Sequence, residues 1–346
     1  YYNNLGIAYK SLGEQDQALK AFSKALALNP EYPEACNNLG AVYHARGDYE
    51  QASQQYAQAV RLKKDYLQAH NNLAKLFLSL SEFEKAFKCF QNVIKLDPGF
   101  APAYNNMGTI LQEAGRFEES LRYYNLALEK DYTFFKAYKN RASALLKLHR
   151  QQEAEADAKE AIRLNGDYAK GYKTLGDVFN DQKKFPEAIA NLQKALLLHP
   201  GYERALNNLG LAYMETGAIN KAITALKSAV ELKPGTAKTH NNLAICYLEA
   251  GRYEEAQAAY AKAIELDPHY YEPVRHLSNI SKIQADDPLF LRLQVEEQTI
   301  DQVEEESRIH LHYALGKAYE DLQNYDRAFG HFRKGGQLKR KQLDYS

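Results

Sequence analysis

The sequence has few cysteines, which form disulfides and bind metals, and it is also poor in tryptophan and methionine. It has no tryptophan, two methionines and three cysteines among 346 residues. Cys36, Cys89 and Cys246 are scattered without a CxxC spacing, which argues against a metal site or a disulfide framework. We interpret them as buried, reduced thiols. Such thiols fit a reducing compartment, so we predict a cytoplasmic location.

The chain also lacks net charge, because its 44 basic and 44 acidic residues cancel. Binding of nucleic acid driven by net charge is therefore not expected. No apolar run approaches the roughly 18–20 residues that cross a bilayer. The first residues do not follow a signal-peptide pattern. We predict neither a nucleic-acid partner nor a membrane partner.

Sequence motifs that carry catalysis are missing as well. There is no phosphate-binding glycine loop, no dinucleotide fingerprint, no HExxH and no GxSxG. His310 and His312 point to different sides of a helix, and Pro273 interrupts the stretch between His269 and His276. Neither pair is a good metal site. We predict a non-catalytic chain that uses no metal and no cofactor.

What the sequence does contain is a repeat of 34 residues. A pair that is usually leucine followed by glycine or alanine recurs at positions 5–6, 39–40, 73–74, 107–108, 141–142, 175–176, 209–210 and 243–244. Aromatic residues three positions later share a helix face with this pair. We therefore expect four of them to be buried, namely Tyr9, Tyr43, Phe77 and Tyr213. A glycine in five units predicts the turn into a second helix: Gly13, Gly47, Gly115, Gly217 and Gly251.

This pattern resembles the tetratricopeptide repeat, and the resemblance covers about residues 1–270. It implies an all-α fold, a right-handed superhelix (an α-solenoid) of stacked helix-turn-helix repeats. We predict eight tandem units over residues 1–268, the first lacking its start. An atypical helical unit and degenerate terminal repeat or capping helices are expected over residues 269–346.

The end of the chain has a narrower resemblance. Residues 312–345, HYALGKAYEDLQNYDRAFGHFRKGGQLKRKQLDY, resemble the last helical unit before the catalytic domain in bacterial tetratricopeptide–sulfotransferase fusions. That resemblance implies that a sulfotransferase domain follows Ser346 in the parent protein. The alternative is a structural cap, because terminal repeats must end the stack.

A row of asparagines stands directly before the leucine position, as in the sequence NNLG. It consists of Asn4, Asn38, Asn72, Asn106, Asn140, Asn208 and Asn242. An asparagine side chain both donates and accepts hydrogen bonds, so such a row can bind the backbone of an extended peptide. Similar asparagine ladders bind peptides in the O-linked N-acetylglucosamine transferase family. The resemblance therefore implies a peptide-binding surface in the concave groove, whereas contacts to the adjoining repeat are the alternative.

A row of basic residues lies five positions before the leucine. It consists of Lys136, Lys170, Arg204 and Lys238. Lys139 and Lys173 lie one turn further along two of these helices, where other units carry asparagine. We predict a basic strip that suits an acidic peptide. A solvated surface without a ligand is the alternative.

These observations predict a non-catalytic protein–protein interaction module, or scaffold, that binds an extended acidic peptide in its groove. Two other hypotheses stay open. The chain could be the substrate-recruiting arm of a larger sulfotransferase or glycosyltransferase, or it could form a homo-oligomer through its terminal repeats.

Units five and six depart from the pattern at Arg141, Ala158 and Thr174. We therefore predict that residues 135–200 are the least stable part of the array.

Overall fold

The computed structural model describes residues 1–343, so the last two residues of the segment 312–345 lie outside it. All regular structure in residues 1–343 is helical, which confirms the predicted all-α fold. The α-helices are α1 (Tyr2–Ser11), α2 (Gln15–Leu28), α3 (Pro33–Arg46), α4 (Tyr49–Leu62), α5 (Leu67–Ser79), α6 (Phe83–Leu96), α7 (Ala101–Glu113), α8 (Phe117–Lys130), α9 (Phe135–Lys147), α10 (Gln151–Leu164), α11 (Ala169–Asp181), α12 (Phe185–Leu198), α13 (Glu203–Glu215), α14 (Ile219–Leu232), α15 (Ala237–Glu249), α16 (Tyr253–Leu266), α17 (Tyr271–Ile280), α18 (Pro288–Glu297), α19 (Glu305–Asp321) and α20 (Tyr325–Leu343). A short 3-10 helix, η1 (Ile300–Gln302), precedes α19.

The chain divides into two compact units, Tyr1–Val178 and Phe179–Ser346. In the first unit, α1 to α10 form five helix pairs, and the second helix of each pair contacts the first helix of the next. In the second unit, α13 pairs with α14 and α15 with α16 in the same way. Each unit is thus a stack of helix-turn-helix repeats. The division into residues 1–268 and 269–346 stays a prediction.

In several pairs a glycine on the first helix faces a ring on the second helix, whereas in the pair α13–α14 Gly210 faces Leu226. A β-carbon added at Gly40 would lie 2.9 Å from the ring of Tyr56, and one at Gly108 would lie 2.7 Å from the ring of Tyr124. Both distances are too short for a real contact, so only glycine permits this approach. Tyr56 and Tyr124 are 2% and 0% exposed as a result. The Leu-Gly pair therefore encodes the packing of the two helices.

The prediction that these four aromatic residues of the first helices are buried is wrong, although Phe179 and Tyr247 are buried. Tyr9, Tyr43, Phe77 and Tyr213 are only partly buried and pack at the margin of the core. The centre of each of these four pairs is taken by a side chain of the second helix, because the small residue opposite leaves room for it: Phe22, Tyr56, Phe90 and Leu226. Lysine side chains cover two of the first-helix rings. Lys85 Nζ lies 5.4 Å from the centre of the Phe77 ring, and Lys221 Nζ lies 5.7 Å from the centre of the Tyr213 ring.

The turn inside each pair needs one residue in the left-handed region. Glycine supplies it at Gly13, Gly47, Gly115, Gly217 and Gly251, with φ between 70° and 84°. This confirms the predicted turns. The equivalent residues in other pairs carry side chains: Ser81, His149, Lys183 and Gln323, with φ between 57° and 62°. A side chain in this region is strained, so these four turns are less favourable than the glycine turns.

The helices after residue 270 complete the second unit in a different way. α17 packs against α16 and α19, while α18 lies on α19. α19 and α20 form a repeat-like pair, and a β-carbon at Gly316 would lie 2.7 Å from the ring of Phe332. One core joins these helices through Tyr271, Phe290, Leu293 and Tyr319.

None of the helices in the described part of the chain combines the length and apolarity that a bilayer span requires.

Candidate functional site

The doubled asparagines hydrogen-bond from one repeat to the next. In four places, the second asparagine of a motif donates its Nδ2 to the Oδ1 of the first asparagine in the preceding motif, at 2.8–3.0 Å. The donor–acceptor pairs are Asn38–Asn3, Asn72–Asn37 and Asn140–Asn105 in the first unit, and Asn242–Asn207 in the second. Most of the acceptors are buried, Asn37 at 1% exposure. The NNLG motif therefore links adjacent repeats.

These bonds leave part of the asparagine row available to a ligand. An amide has two N–H groups and a carbonyl oxygen, so one bond does not exhaust it. Asn38, Asn72, Asn106, Asn140 and Asn208 are partly buried, and each keeps an accessible side. Asn242 is only 5% exposed, so its bond to Asn207 is its main contact.

Two lysines of the predicted strip, Lys139 and Lys173, replace the first asparagine of the motif, which elsewhere accepts the inter-repeat bond. Lys173 Nζ lies 2.5 Å from Asp177 Oδ2, and both side chains are mostly buried, at 18% and 21% exposure. Lys139 is partly buried and is also engaged by other groups of the protein. The hydroxyl of Thr174, which replaces the second asparagine, donates to the carbonyl oxygen of Lys170 at 2.9 Å. No inter-repeat amide bond can form at these positions.

Four basic residues share one position on the first helices of consecutive helix pairs. Each is the second residue of its helix: Lys136 on α9 and Lys170 on α11 in the first unit, and Arg204 on α13 and Lys238 on α15 in the second. All four are exposed, and none forms an ion pair with another residue of 1–343. A cation in the first turn is opposed by the positive end of the helix dipole. Helix stability therefore does not explain this row.

A buried ion pair occupies the place where unit five departs from the repeat. Arg141 takes the leucine position, and its Nε and Nη2 donate to Asp157 at 2.6 and 2.7 Å. Its Nη1 donates to Asn125 at 2.7 Å. Burial disfavours the charged guanidinium, but the hydrogen bonds to Asp157 outweigh this and raise the pKa of Arg141. Asp157 is only 7% exposed, whereas the Arg141 side chain is 24% exposed, and both residues line a cavity of about 600 Å³.

A histidine pair in the last repeat has no signal in the sequence. His312 Nδ1 lies 3.0 Å from His331 Nδ1, and His331 Nε2 lies 3.1 Å from Glu297 Oε1. Both rings are buried, at 4% and 7% exposure. Burial, together with the nearby His331, lowers the pKa of His312 to about 4. No cluster of side chains that could hold a metal ion occurs within residues 1–343.

The three cysteines are free thiols. Cys36 and Cys246 are buried, and Cys89 is partly buried. Burial raises the pKa of the Cys246 thiol to about 12, with a smaller contribution from Glu249. These thiols are therefore protonated near neutral pH and act as small apolar side chains.

Comparison with known protein families identifies the repeat. A family model described as "TPR repeat" matches residues 6–45, 42–81 and 176–217. Models described as "Tetratricopeptide repeat" match residues 67–100, 237–270, 89–122 and 203–236. No curated protein sequence matches the chain.

Solved structures share the fold at low sequence identity. A chain of the APC/C hetero-tetramer Cut9–Hcn1 is 18% identical with a TM-score of 0.65 over 80% of this chain, which spans 54% of that chain. A tetratricopeptide repeat protein from Parabacteroides merdae is 17% identical with a TM-score of 0.59 over 71% of this chain and 98% of its own. Human IFIT1, solved as a dimer with m7Gppp-AAAA, is 18% identical with a TM-score of 0.59. The match covers 98% of this chain and 89% of the IFIT1 chain. These likenesses show a common fold.

Proposed function

We propose that this chain, which belongs to the tetratricopeptide repeat family, binds an extended acidic peptide segment along its first helices. The family forms protein–protein interaction modules, and its fold is typically non-catalytic. The surface concerned is the side of each first helix from α3 on that presents its second residue and, four positions later, the residue before the leucine position. We call it the first-helix face. It carries both the asparagine row and the basic row.

The single observation that carries the proposal is the repeated position of the four exposed cations. Lys136, Lys170, Arg204 and Lys238 occupy the second residue of α9, α11, α13 and α15, where the helix dipole opposes a positive charge. A ligand with negative charge relieves this cost. Each exposed ion pair contributes only about 0.2–1 kcal/mol, so useful affinity requires contacts to several repeats.

The asparagine row has a different part in the proposal. Asn106 Oδ1 accepts a hydrogen bond from Asn105 Nδ2 at 3.4 Å, which leaves the side-chain N–H groups of Asn106 able to donate to a ligand. Such an amide suits a peptide carbonyl, whatever the side chains of the peptide are. The cations then select acidic side chains, while the asparagines hold the backbone.

The test is a selection of short random peptides on the intact chain, followed by binding measurements with labelled copies of the recovered sequences. We expect the recovered peptides to be rich in aspartate and glutamate. Lys170→Glu combined with Arg204→Glu should weaken binding by at least ten-fold and leave the melting temperature nearly unchanged.

The matched control is Lys24→Glu combined with Lys194→Glu, since both of these lysines are exposed on second helices. This variant should bind as the unaltered chain does. Raising the salt from about 50 to 300 mM should also weaken binding by screening the exposed charges. Binding that ignores both the salt and the charge reversals would rule out the basic strip.

A further inference from the structure

We infer that the second unit binds a segment of mixed charge, in which acidic residues contact Arg204 and Lys238 and a lysine or arginine side chain enters a cavity between α15, α17 and α19. This inference rests on the proposed function and specifies the partner's charge pattern. It gives the bound segment a fixed direction along the first-helix face.

The first step is a reversal of charge along the row. Residues at the same 34-residue spacing continue beyond Lys238 as Glu272 and Glu306. Each is the second residue of its helix, α17 and α19, as Arg204 and Lys238 are on α13 and α15. All four residues belong to the second unit. Two cations are thus followed by two carboxylates at one helical position.

The second step is the cavity at this reversal. Lys238, Glu272 and Glu306 line one cavity of about 390 Å³. Its other lining residues include Asp267, Tyr270, Tyr271 and His310. Three carboxylates therefore face one lysine, so the lining favours a cation. The volume falls in the range of about 300–1,000 Å³ that is typical of ligand clefts.

The third step is that one carboxylate is held in place before any ligand arrives. Tyr270 donates its hydroxyl to Glu272 Oε2 at 2.8 Å, and Asn241 Nδ2 donates to that hydroxyl oxygen at 3.0 Å. His276, whose Nε2 lies 3.8 Å from Glu272 Oε1, and the hydrogen bond from Tyr270 lower the pKa of Glu272 to about 2. Glu272 is therefore ionised near neutral pH, and its side chain is still 35% exposed.

The groups around this carboxylate also suit a basic side chain. Asn241 is 1% exposed and does not line the cavity, so its part is to hold the Tyr270 hydroxyl that donates to Glu272. Burial and the charge of Arg275 lower the pKa of His310, so its ring is neutral and does not repel a cation. Tyr270 lines the cavity and is only partly buried, so it adds an aromatic ring of the kind that attracts an ammonium or guanidinium group.

The spacing of the charges in the partner follows from helix packing. α13 and α15 pack directly, and directly packed helices lie about 8–10 Å apart. An extended chain covers that distance in about three residues. The matching segment therefore has two acidic residues about three positions apart. Because Lys238 itself lines the cavity, the basic residue follows the second acidic residue closely, and a gap of about three positions is the one to test.

The experiment compares three labelled peptides of equal length by fluorescence anisotropy on the intact chain. One has two glutamates followed by an arginine at this spacing, one has the reverse order, and one has a third glutamate in place of the arginine. We expect one of the two mixed peptides to bind at least ten-fold more tightly than the other and than the acidic peptide. Glu306→Lys should abolish this preference, and Glu306→Gln should reduce it.

Glu254→Lys is the matched control, because Glu254 is exposed at the second position of α16 and does not line the cavity. It should keep the preference. Equal binding of the two mixed peptides and the acidic peptide overturns the inference, and so does a preference that Glu306→Lys leaves intact. If the acidic peptide still binds and Lys238→Glu weakens it, the proposed function survives that outcome. If none of the three peptides binds, both proposals fail.

Discussion

Asn72 donates its Nδ2 to the Oδ1 of Asn37 at 2.9 Å, and so links one repeat to the repeat before it. Asn37 is 1% exposed, so water cannot replace the donor if Asn72 is removed. The same bond recurs in three other places at 2.8–3.0 Å. The doubled asparagine is therefore a structural link, with or without a ligand on its exposed side.

The first prediction is that Asn72→Ala destabilises the fold by about 1–3 kcal/mol, because it leaves a buried acceptor unpaired. Asn106→Ala serves as the control, since Asn106 forms no such inter-repeat bond within residues 1–343. Urea unfolding followed by circular dichroism measures both losses. Equal losses in the two variants would contradict the proposed role of the link.

The second prediction concerns the left-handed turns. Ser81 has φ 59° where Gly47 has φ 84°. Ser81→Gly should raise the free energy of unfolding by about 0.5–1 kcal/mol, as relief of strain outweighs the greater flexibility of glycine. Gly47→Ala should lower it by about 1–2 kcal/mol. The midpoints of thermal unfolding should therefore move in opposite directions, and a shift in the same direction would refute the argument.

The third prediction concerns the buried ion pair. Asp157→Ala leaves the Arg141 guanidinium without its bidentate partner and should cost about 3 kcal/mol. The double variant Arg141→Leu with Asp157→Leu should recover most of this loss, because apolar residues often replace a buried pair without cost. Urea unfolding of the two variants tests the idea. A double variant as unstable as Asp157→Ala would show that the pair is needed for more than neutralisation.

The fourth prediction is a loss of stability in mild acid. The pKa of His312 falls from 6.5 to about 4 on folding, so the unfolded chain binds its proton more readily than the folded chain. The stability of the last repeats should be complete above pH 6.5 and decline as the pH falls towards 4. The full difference corresponds to about 3 kcal/mol.

Urea unfolding at several pH values in this window provides the measurement. His312→Gln should flatten the dependence on pH. His199→Gln, a change at an exposed histidine on the C-terminal side of α12, should leave it unchanged. A pH profile that is identical in His312→Gln and the unaltered chain would exclude the histidine pair as its source.

The fifth prediction places the weakest part of the array at residues 135–200. In this stretch Lys139 and Lys173 replace the acceptor asparagines, and His149 and Lys183 occupy the turns that glycine fills elsewhere. Native-state hydrogen exchange should find its amide groups among the fastest to exchange in the repeat region. Slow exchange there would show that the Arg141–Asp157 pair compensates for these departures.

The sequence predicted the helix pairs and their turns because these depend on residues close together in the chain. Gly40 and Gly47 define one pair by themselves, through a small contact surface and a left-handed turn. The burial of Tyr43 was mispredicted because a face shared with Leu39 does not show which of two facing rings takes the centre.

Contacts between distant residues were harder to predict. Arg141 is visible in the sequence as a departure from the repeat, but nothing marks Asp157 as its partner 16 positions later. His312 and His331 are separated by 19 positions and come together only when α19 and α20 pack. Lys173 and Asp177, by contrast, have the i,i+4 spacing of a helical ion pair, so their contact could have been predicted.

The interrupted asparagine row has a mechanical consequence. When such an array is pulled from its ends, neighbouring repeats separate where the fewest bonds join them. The amide links are lost at Lys139 and Lys173, whereas Asn140 is still tied to Asn105 on one side. Within the first unit, the chain should therefore yield under tension where the link is missing, between α9 and α11 and also between α5 and α7, where Asn71 Oδ1 has no partner among the described residues. Force would then separate the repeats that carry Lys136 and Lys170 before it separates the repeats that Asn72 and Asn37 join.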